Sequence, residues 1–478
     1  MIAARFLIRS LGTAERFPHP PFSPGFGNPP PQAARYEKLF INRILSPARG
    51  TMALRNIAVN LWNLVSPLTK TFDLMNPALG DHCLRVAYLA MRLAEELEWP
   101  AWRRREAAIA GALHDIGAFS LSERLDLLEF ETADQGSHAR AGYLLLREFK
   151  PFERVAGAIL HHHLPWRNGE GGREDGAPVP ETSHLLHLAD RTAVLLRNDQ
   201  PTLGQIPAIR ASIRERSGTW FVPSYVDALL RLCDRDYIWL EISSGAMGDS
   251  LRRSLGMETI DTEMREFLDF SRLLCRIIDF KSEFTATHSS GVAAVGKSLA
   301  SLVGFSRQEC VMFEIAAYLH DLGKLAIPSE ILEKRDRLTQ AEWGVMRTHA
   351  YYTYQILNPI EVLNLVSSWS SLHQERLDGS GYPFHVREDD LPLGARLMAV
   401  ADVFTAITEN RPYRKGMTRE EALGALHEMS AKRELDAPLV SLLETNYDAI
   451  AHAREEAQTQ AVREYEAFRE ALKGGSGT

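Results

Sequence analysis

The chain is predicted to be all-α, with two tandem helical bundles behind a disordered N-terminal extension. The expected boundaries are 1–51 for the extension, 52–260 and 261–450 for the bundles, and 451–478 for a polar helix and tail. Three observations predict this: one roster of histidines and aspartates is written twice in the same order, apolar residues around each copy recur at helical spacing, and strand signals are few. The first roster is His82, His114-Asp115, His138, His161-His162 and Asp190. The second is His288, His320-Asp321, His349, His373-Gln374 and Asp402. From the first His to the His-Asp pair is 32 residues in both (114 minus 82, 320 minus 288), and from the later His to the last Asp is 29 in both (190 minus 161, 402 minus 373). Two copies of one metal-binding fold account for both intervals.

A length of 478 residues exceeds what one hydrophobic core usually serves, and 45% apolar content suffices for two. Residues 1–51 differ: the Pro/Gly-rich stretch from Pro18 to Pro31 cannot join a packed core and reads as disordered, an extension ahead of Met52. Beyond it, Val86, Leu89, Leu93 and Leu97 form one helical stripe, and Val292, Val295, Leu299 and Leu302 form its counterpart. His82 and His288 each precede the first stripe residue by four, so both aim inward. The His-Asp pairs close apolar helices that end at His114 and His320, and Gly117 and Gly323 two residues further on suit a helix stop. His138 and His349 open further helices, while Asp190 and Asp402 lie within HLADRTAVLL and MAVADVFTAI, again helical. His163, His184 and His187 have no counterpart in the second roster and read as structural or exposed. Ala451 to Leu472, rich in Glu, Arg and Ala, reads as a solvated helix, with partner binding as the minority reading.

A net charge of −8 excludes the basic footprint of a nucleic-acid binder, so no DNA or RNA duplex is an expected partner. No run approaches the roughly 18 consecutive apolar residues of a membrane span. The four cysteines, without C-x-x-C spacing, suggest neither a disulfide framework nor a thiolate zinc site, and a cytoplasmic location is expected.

With these motifs in place, both halves resemble HD-superfamily metal-dependent phosphohydrolases. The second is similar to the HD-GYP subfamily through HDLGK at His320–Lys324, HQERLDGSGYP at His373–Pro383 and RPYR at Arg411–Arg414. The resemblance implies hydrolysis of cyclic di-GMP on a helical domain holding iron or manganese, and mixed imidazole and carboxylate donors suit those metals. It implies one ion on His288, His320, Asp321 and Asp402, and a second on Asp321, His349, His373 and position 374. Asp321 would be the bridge, and Lys324 would contact a phosphate oxygen or the leaving group. Family members with a third metal carry a Glu four residues before the first His; Phe284 stands here and Glu283 is off register, so two ions are expected. The family places a second His where this chain has Gln374, a poorer donor, which predicts weaker binding at that site.

Gly381 and Tyr382 of the GYP loop, together with Arg411 and Arg414, are candidate substrate contacts. The first half keeps every ligand type but has Ala118 in place of Lys324 and LPWRNGEGG in place of the GYP loop, so metal is expected there while its substrate is unreadable. The leading expectation is a cyclic-dinucleotide phosphodiesterase. Hydrolysis of hybrid cyclic GMP-AMP, or a catalytically impaired receptor acting on a signalling partner or a second copy of the chain, are the alternatives.

Overall fold

The computed structural model describes residues 56–73, 81–118, 136–255, 260–281, 287–334, 336–410 and 415–473. The expected disordered extension, Glu283, Phe284, Arg411 and Arg414 lie outside the described residues. The chain divides into two compact units. The N-terminal unit comprises Asn56–Lys281, Leu325–Ser329 and the chain from Arg463 onward, and the C-terminal unit comprises Ser282–Lys324 and Glu330–Val462.

Both units are helical. Among the described residues the strands are four short segments, β1 (Asn56–Val59), β2 (Arg173–Glu174), β3 (Ala177–Pro178) and β4 (Ile260–Glu263), in two antiparallel ribbons, β1 with β4 and β2 with β3. The N-terminal unit holds α1 (Leu61–Asp73), α2 (His82–Glu96), α3 (Ala101–Leu113), α4 (Gly136–Leu146), α5 (Glu153–Leu160), α6 (Glu181–Val194), α7 (Thr202–Glu215), α8 (Pro223–Cys233), α9 (Asp236–Ser243), α10 (Met247–Leu255) and α11 (Met264–Lys281). There follow α12 (His288–Leu302), α13 (Arg307–Leu319), α14 (Ser329–Leu332), α15 (Gln340–Met346), α16 (Thr348–Leu357), α17 (Asn364–Ser371), α18 (Leu393–Thr408), α19 (Arg419–Ala431), α20 (Ala437–Thr445) and α21 (Tyr447–Lys473). The division after Lys281 differs from the 260/261 boundary read from the sequence. Pairing of β1 with β4 ties the two ends of the N-terminal unit together, and Phe270 of α11 packs 4.7 Å from Phe149, so that helix shares the first core.

The same five-helix arrangement occurs twice. In the N-terminal unit α2 packs on α3 and α6, and α5 packs on α3 and α4; in the C-terminal unit α12 packs on α13 and α18, and α17 packs on α13 and α16. The apolar stripes supply the contact: Val86, Leu89 and Leu93, like Val292, Val295 and Leu299, are fully buried, each contributing about 1.5–3 kcal/mol relative to exposure. The second stripe stops one turn early, because Leu302 is 46% exposed at the end of α12. Helix α13 starts with a capping box in which Ser306 and Glu309 satisfy each other's backbone N–H groups.

Gly117 and Gly323 do not act as left-handed helix stops, since neither has positive φ. They permit close approach. A Cβ on Gly323 would meet the carbonyl oxygen of His349 at 1.9 Å, and one on Gly117 would meet that of His138 at 2.2 Å. Across the first of these contacts Thr353 Oγ1 accepts from the Gly323 N–H at 2.9 Å and donates to the His320 carbonyl at 3.1 Å, tying α16 to the His-Asp turn. Gly323→Ala is therefore expected to destabilise the C-terminal unit by about 1–3 kcal/mol through overpacking. In thermal unfolding this appears as a lowered Tm, and an unchanged Tm contradicts the close-approach reading.

Candidate metal centres

Each bundle gathers its histidines and aspartates into one buried cluster. In the C-terminal unit His288 opens α12, His320 caps α13 with Asp321 beside it, His349 lies in the first turn of α16, His373 stands two residues past α17, and Asp402 is in α18. Asp321 has two sides. Its Oδ2 lies 3.3 Å from His320 Nε2, while its Oδ1 lies 3.5 Å from His349 Nε2 and 3.8 Å from His373 Nε2. His288 Nε2 is 3.0 Å from Asp402 Oδ1. Ligand atoms of His288, His320 and Asp321, of His320, His373 and Asp402, and of Asp321, His349 and His373 all fall within distances one cation can span.

Hydrogen bonding presets these rings. The Nδ1 atoms of His320, His349 and His373 lie 2.7, 2.7 and 2.6 Å from the carbonyl oxygens of Ala317, Met346 and Ser370. A carbonyl only accepts, so each Nδ1 carries a proton and each Nε2 faces the centre. Burial holds the His349 and His373 imidazoliums down to about 4 and about 3, so both are neutral near pH 7. Their Nε2 atoms then face one another at 3.3 Å with no proton between them, and His320 Nε2 is buried with no hydrogen-bond partner among the described residues. A divalent cation satisfies all of these atoms, so the donor set fits a metal. Burial opposes protonation of His288, but the Glu409 and Asp402 carboxylates outweigh it and raise the imidazolium to about 9.

Around this cluster Lys324 Nζ donates to Asp321 Oδ2. Gln374 Nε2 donates to Asp402 Oδ2 at 3.4 Å, which places its amide beside Asp402. Glu375, absent from the sequence reading, anchors the GYP loop by accepting the N–H groups of Phe384, His385 and Val386 at 2.7, 3.1 and 3.2 Å. Gly381 is obligatory at that turn, because a Cβ would meet Glu375 Cα at 2.4 Å. Tyr382 is buried with its ring edge-on to His349, and the Arg347 guanidinium lies 4.8 Å from its centroid.

The N-terminal unit repeats the pattern and corrects one element of it. Asp115 Oδ2 lies 3.2 Å from His114 Nε2 and 3.8 Å from His82 Nε2, and Asp115 Oδ1 lies 3.6 Å from His138 Nε2. His82 Nε2 is also 3.3 Å from Asp190 Oδ1. His161, an expected ligand, is not in the cluster: it is partly exposed and its Nδ1 contacts Glu174 Oε2 at 2.5 Å. His162 and His163 take the places of His373 and Gln374. His162 Nδ1 bonds the Ile159 carbonyl at 2.6 Å, and its Nε2 lies 3.4 Å from His138 Nε2. His163 Nε2 lies 3.1 Å from His138 Nε2, and its Nδ1 is 3.9 Å from Asp190 Oδ2.

The one-residue slip has a physical origin. His162 and His373 are each the second residue beyond a helix end (Leu160 and Ser371), which lets the ring fold back onto the last turn; both also lie 24 residues after the preceding ligand. The 29-residue spacing used in the sequence reading spans a loop one residue shorter in the first copy (190 minus 162 is 28). His184 and His187 are buried beside the cluster, against Trp166 and Trp220, so they are structural but not exposed. Arg191 was also missed: it is fully buried, and its Nε and Nη2 donate to Asp190 Oδ2 at 3.1 and 2.8 Å. Val403 occupies the equivalent position in the second copy.

Comparison with known proteins agrees with this duplication. Two HD domain models match, one over residues 79–195 and the other over 272–439. The 3'3'-cGAMP-specific phosphodiesterase 3 of Vibrio cholerae is 31% identical over 443 residues, 80% of this chain and 92% of that protein. The chain belongs to the HD-GYP phosphodiesterase family. The V. cholerae 3'3'-cGAMP-specific phosphodiesterase 1 is 29% identical over 81% of this chain and 92% of its own length. The cyclic di-GMP phosphodiesterase response regulator RpfG of Xanthomonas campestris is 36% identical over 37% of this chain and 47% of its own. A solved V. cholerae cyclic GMP-AMP specific phosphodiesterase shares the fold with a TM-score of 0.57, at 22% identity over 83% of this chain and 98% of that one. As an HD-GYP family member the chain is a metal-dependent phosphohydrolase with a histidine and aspartate cluster in each unit. Among the described residues no helix is long and apolar enough to cross a membrane.

The corrected register makes a specific prediction for the N-terminal centre. His161→Ala is expected to leave its metal content unchanged, whereas His162→Ala and His163→Ala each lower affinity by an order of magnitude or more, about 10–100-fold. Metal analysis of the purified full chain checks this, and loss of metal in His161→Ala alone would restore the sequence-based register.

Proposed function

We propose that the C-terminal centre hydrolyses a phosphodiester bond of a cyclic dinucleotide, with 3'3'-cyclic GMP-AMP and cyclic di-GMP as candidate substrates. The observation that carries this reading is the buried Asp321 carboxylate, with Oδ2 toward His320 and Oδ1 toward His349 and His373. That arrangement supports two divalent transition-metal ions, iron or manganese being those the family resemblance implies, on His288, His320, Asp321, Asp402, His349 and His373. Such ions, when bound, acidify water and offset the charge that develops on phosphoryl oxygens.

The chain's own groups supply the rest. Lys324 brings a cation beside Asp321, within reach of a phosphate oxygen or the leaving group. Gly381 and Tyr382 form a rigid wall next to His349, held by Glu375, against which a nucleotide can rest. Arg411 and Arg414 complete the substrate contacts in this reading. Water adds to phosphorus, one P–O ester bond breaks, the departing ribose oxygen takes a proton, and a linear dinucleotide results.

The hybrid dinucleotide is favoured by the relatives that match across both units, which are named as 3'3'-cGAMP-specific. Cyclic di-GMP is favoured by relatives matching about a third of the chain. The N-terminal centre, built from His82, His114, Asp115, His138, His162, His163 and Asp190, is proposed to hold metal as well and to regulate the second unit or hydrolyse a nucleotide of its own. A homodimer or a signalling partner would fit either role.

Full-length protein loaded with Mn²⁺ and given each dinucleotide separately tests the reading. Linear product is expected from both, with 3'3'-cyclic GMP-AMP turned over at least about tenfold faster, a difference of roughly 1.4 kcal/mol in barrier. Asp321→Ala should abolish product, and tight binding of the dinucleotide without turnover by the wild type would instead establish a receptor. Gln374→His restores an imidazole beside Asp402 and should lower the Mn²⁺ concentration needed for half occupancy; an unchanged titration refutes the account of that position.

A further inference from the structure

The last helix of the chain reaches the C-terminal metal centre through a carboxylate that no ligand motif contains. Glu409 follows α18, is 4% exposed, and its Oε2 lies 3.2 Å from His288 Nδ1. The same oxygen accepts from Gln458 Nε2 of α21 at 3.3 Å. His288 thus has one nitrogen toward Asp402 and the other toward a buried carboxylate, the arrangement in which a histidine ligand is oriented and made more basic by its partner.

The support is built into the packing. Ile450 and Arg454 of α21 are buried; Arg454 donates to Thr408 Oγ1 one residue before Glu409, and its guanidinium lies 5.9 Å from the Phe404 ring. Gly291, one turn after His288, leaves the space that Gln458 occupies, since a Cβ there would meet Gln458 Nε2 at 2.9 Å. The feature is particular to this unit. Seven residues after Asp190, where the first copy would place its equivalent, stands Arg197, an exposed side chain paired with Asp199. The reading of α21 as simply a solvated helix is corrected accordingly for its first half.

We infer that Glu409 is a positioning residue for metal binding, and that Gln458 makes the C-terminal helix part of the support of the metal centre. The inference rests on the reading of His288 as a ligand. The test uses full-length protein stripped of metal by chelation and titrated calorimetrically with Mn²⁺. His288→Ala marks the class of sites concerned. Glu409→Ala should weaken that class about 10–100-fold. Glu409→Gln, which keeps an acceptor for Nδ1–H but not the charge, should weaken it less, and Gln458→Ala by a few-fold. Sites untouched by His288→Ala should keep their affinity, and the metal-free Tm of Glu409→Gln should match the wild type.

Wild-type Mn²⁺ binding by both Glu409 variants overturns the inference, as does weakening that spreads to the sites His288→Ala leaves alone. If Glu409→Ala does not fold, Glu409→Gln decides between the same outcomes. A His288→Ala titration identical to the wild type overturns the metal-centre reading itself, and with it the basis of this one.

Discussion

A buried carboxylate beside a histidine at the end of an apolar helix is the constraint on which both units are built. Taking an aspartate out of water costs several kcal/mol unless positive charge or donors surround it. Asp115 and Asp321 are therefore stable where they are because the adjacent histidine and imidazoles from three other segments converge on them. Local electrostatics already point that way. Burial alone would raise both carboxyls, yet the neighbouring histidines, and at Asp321 also Lys324, hold both well below the usual range. A metal strengthens that compensation and adds the chemistry.

Everything else serves to bring the segments together. The helices that carry the first His and the last Asp pack directly on one another, and a glycine lets the His-Asp turn touch the backbone of the next ligand helix. For His114, His162, His320, His349 and His373 the Nδ1 proton is assigned by the chain itself, through the carbonyl three residues earlier. Their Nε2 atoms consequently point inward before any ion arrives, so the entropy of arranging the donors is met during folding.

The two centres share this frame and diverge in their compensating charges. The N-terminal centre has an additional imidazole, His163, where the other has the Gln374 amide, and a fully buried Arg191 offsets its Asp190. The C-terminal centre has Lys324 on its bridging aspartate and Glu409 behind His288. The C-terminal centre is therefore the more negative environment for cations and the only one with a lysine positioned beside its bridge. Those differences suit a division in which the second unit performs phosphodiester hydrolysis.

Sequence alone determined the all-helical duplication, the inward aim of His82 and His288, and the places of Asp115 and Asp321 beside a histidine at a helix end, because each follows from spacing along one helix or at its end. Only the tertiary structure decided which of His161, His162 and His163 turn inward, since that depends on where α5 stops and how the following loop departs. It also decided the burial of Arg191 beside Asp190, and the approach of Gln458 and Glu409 to His288. The last two lie 49 residues apart in sequence, and Glu409 lies 121 from His288. No periodicity reports contacts across such distances, because they are made by helices packing against one another after their own patterns have been satisfied.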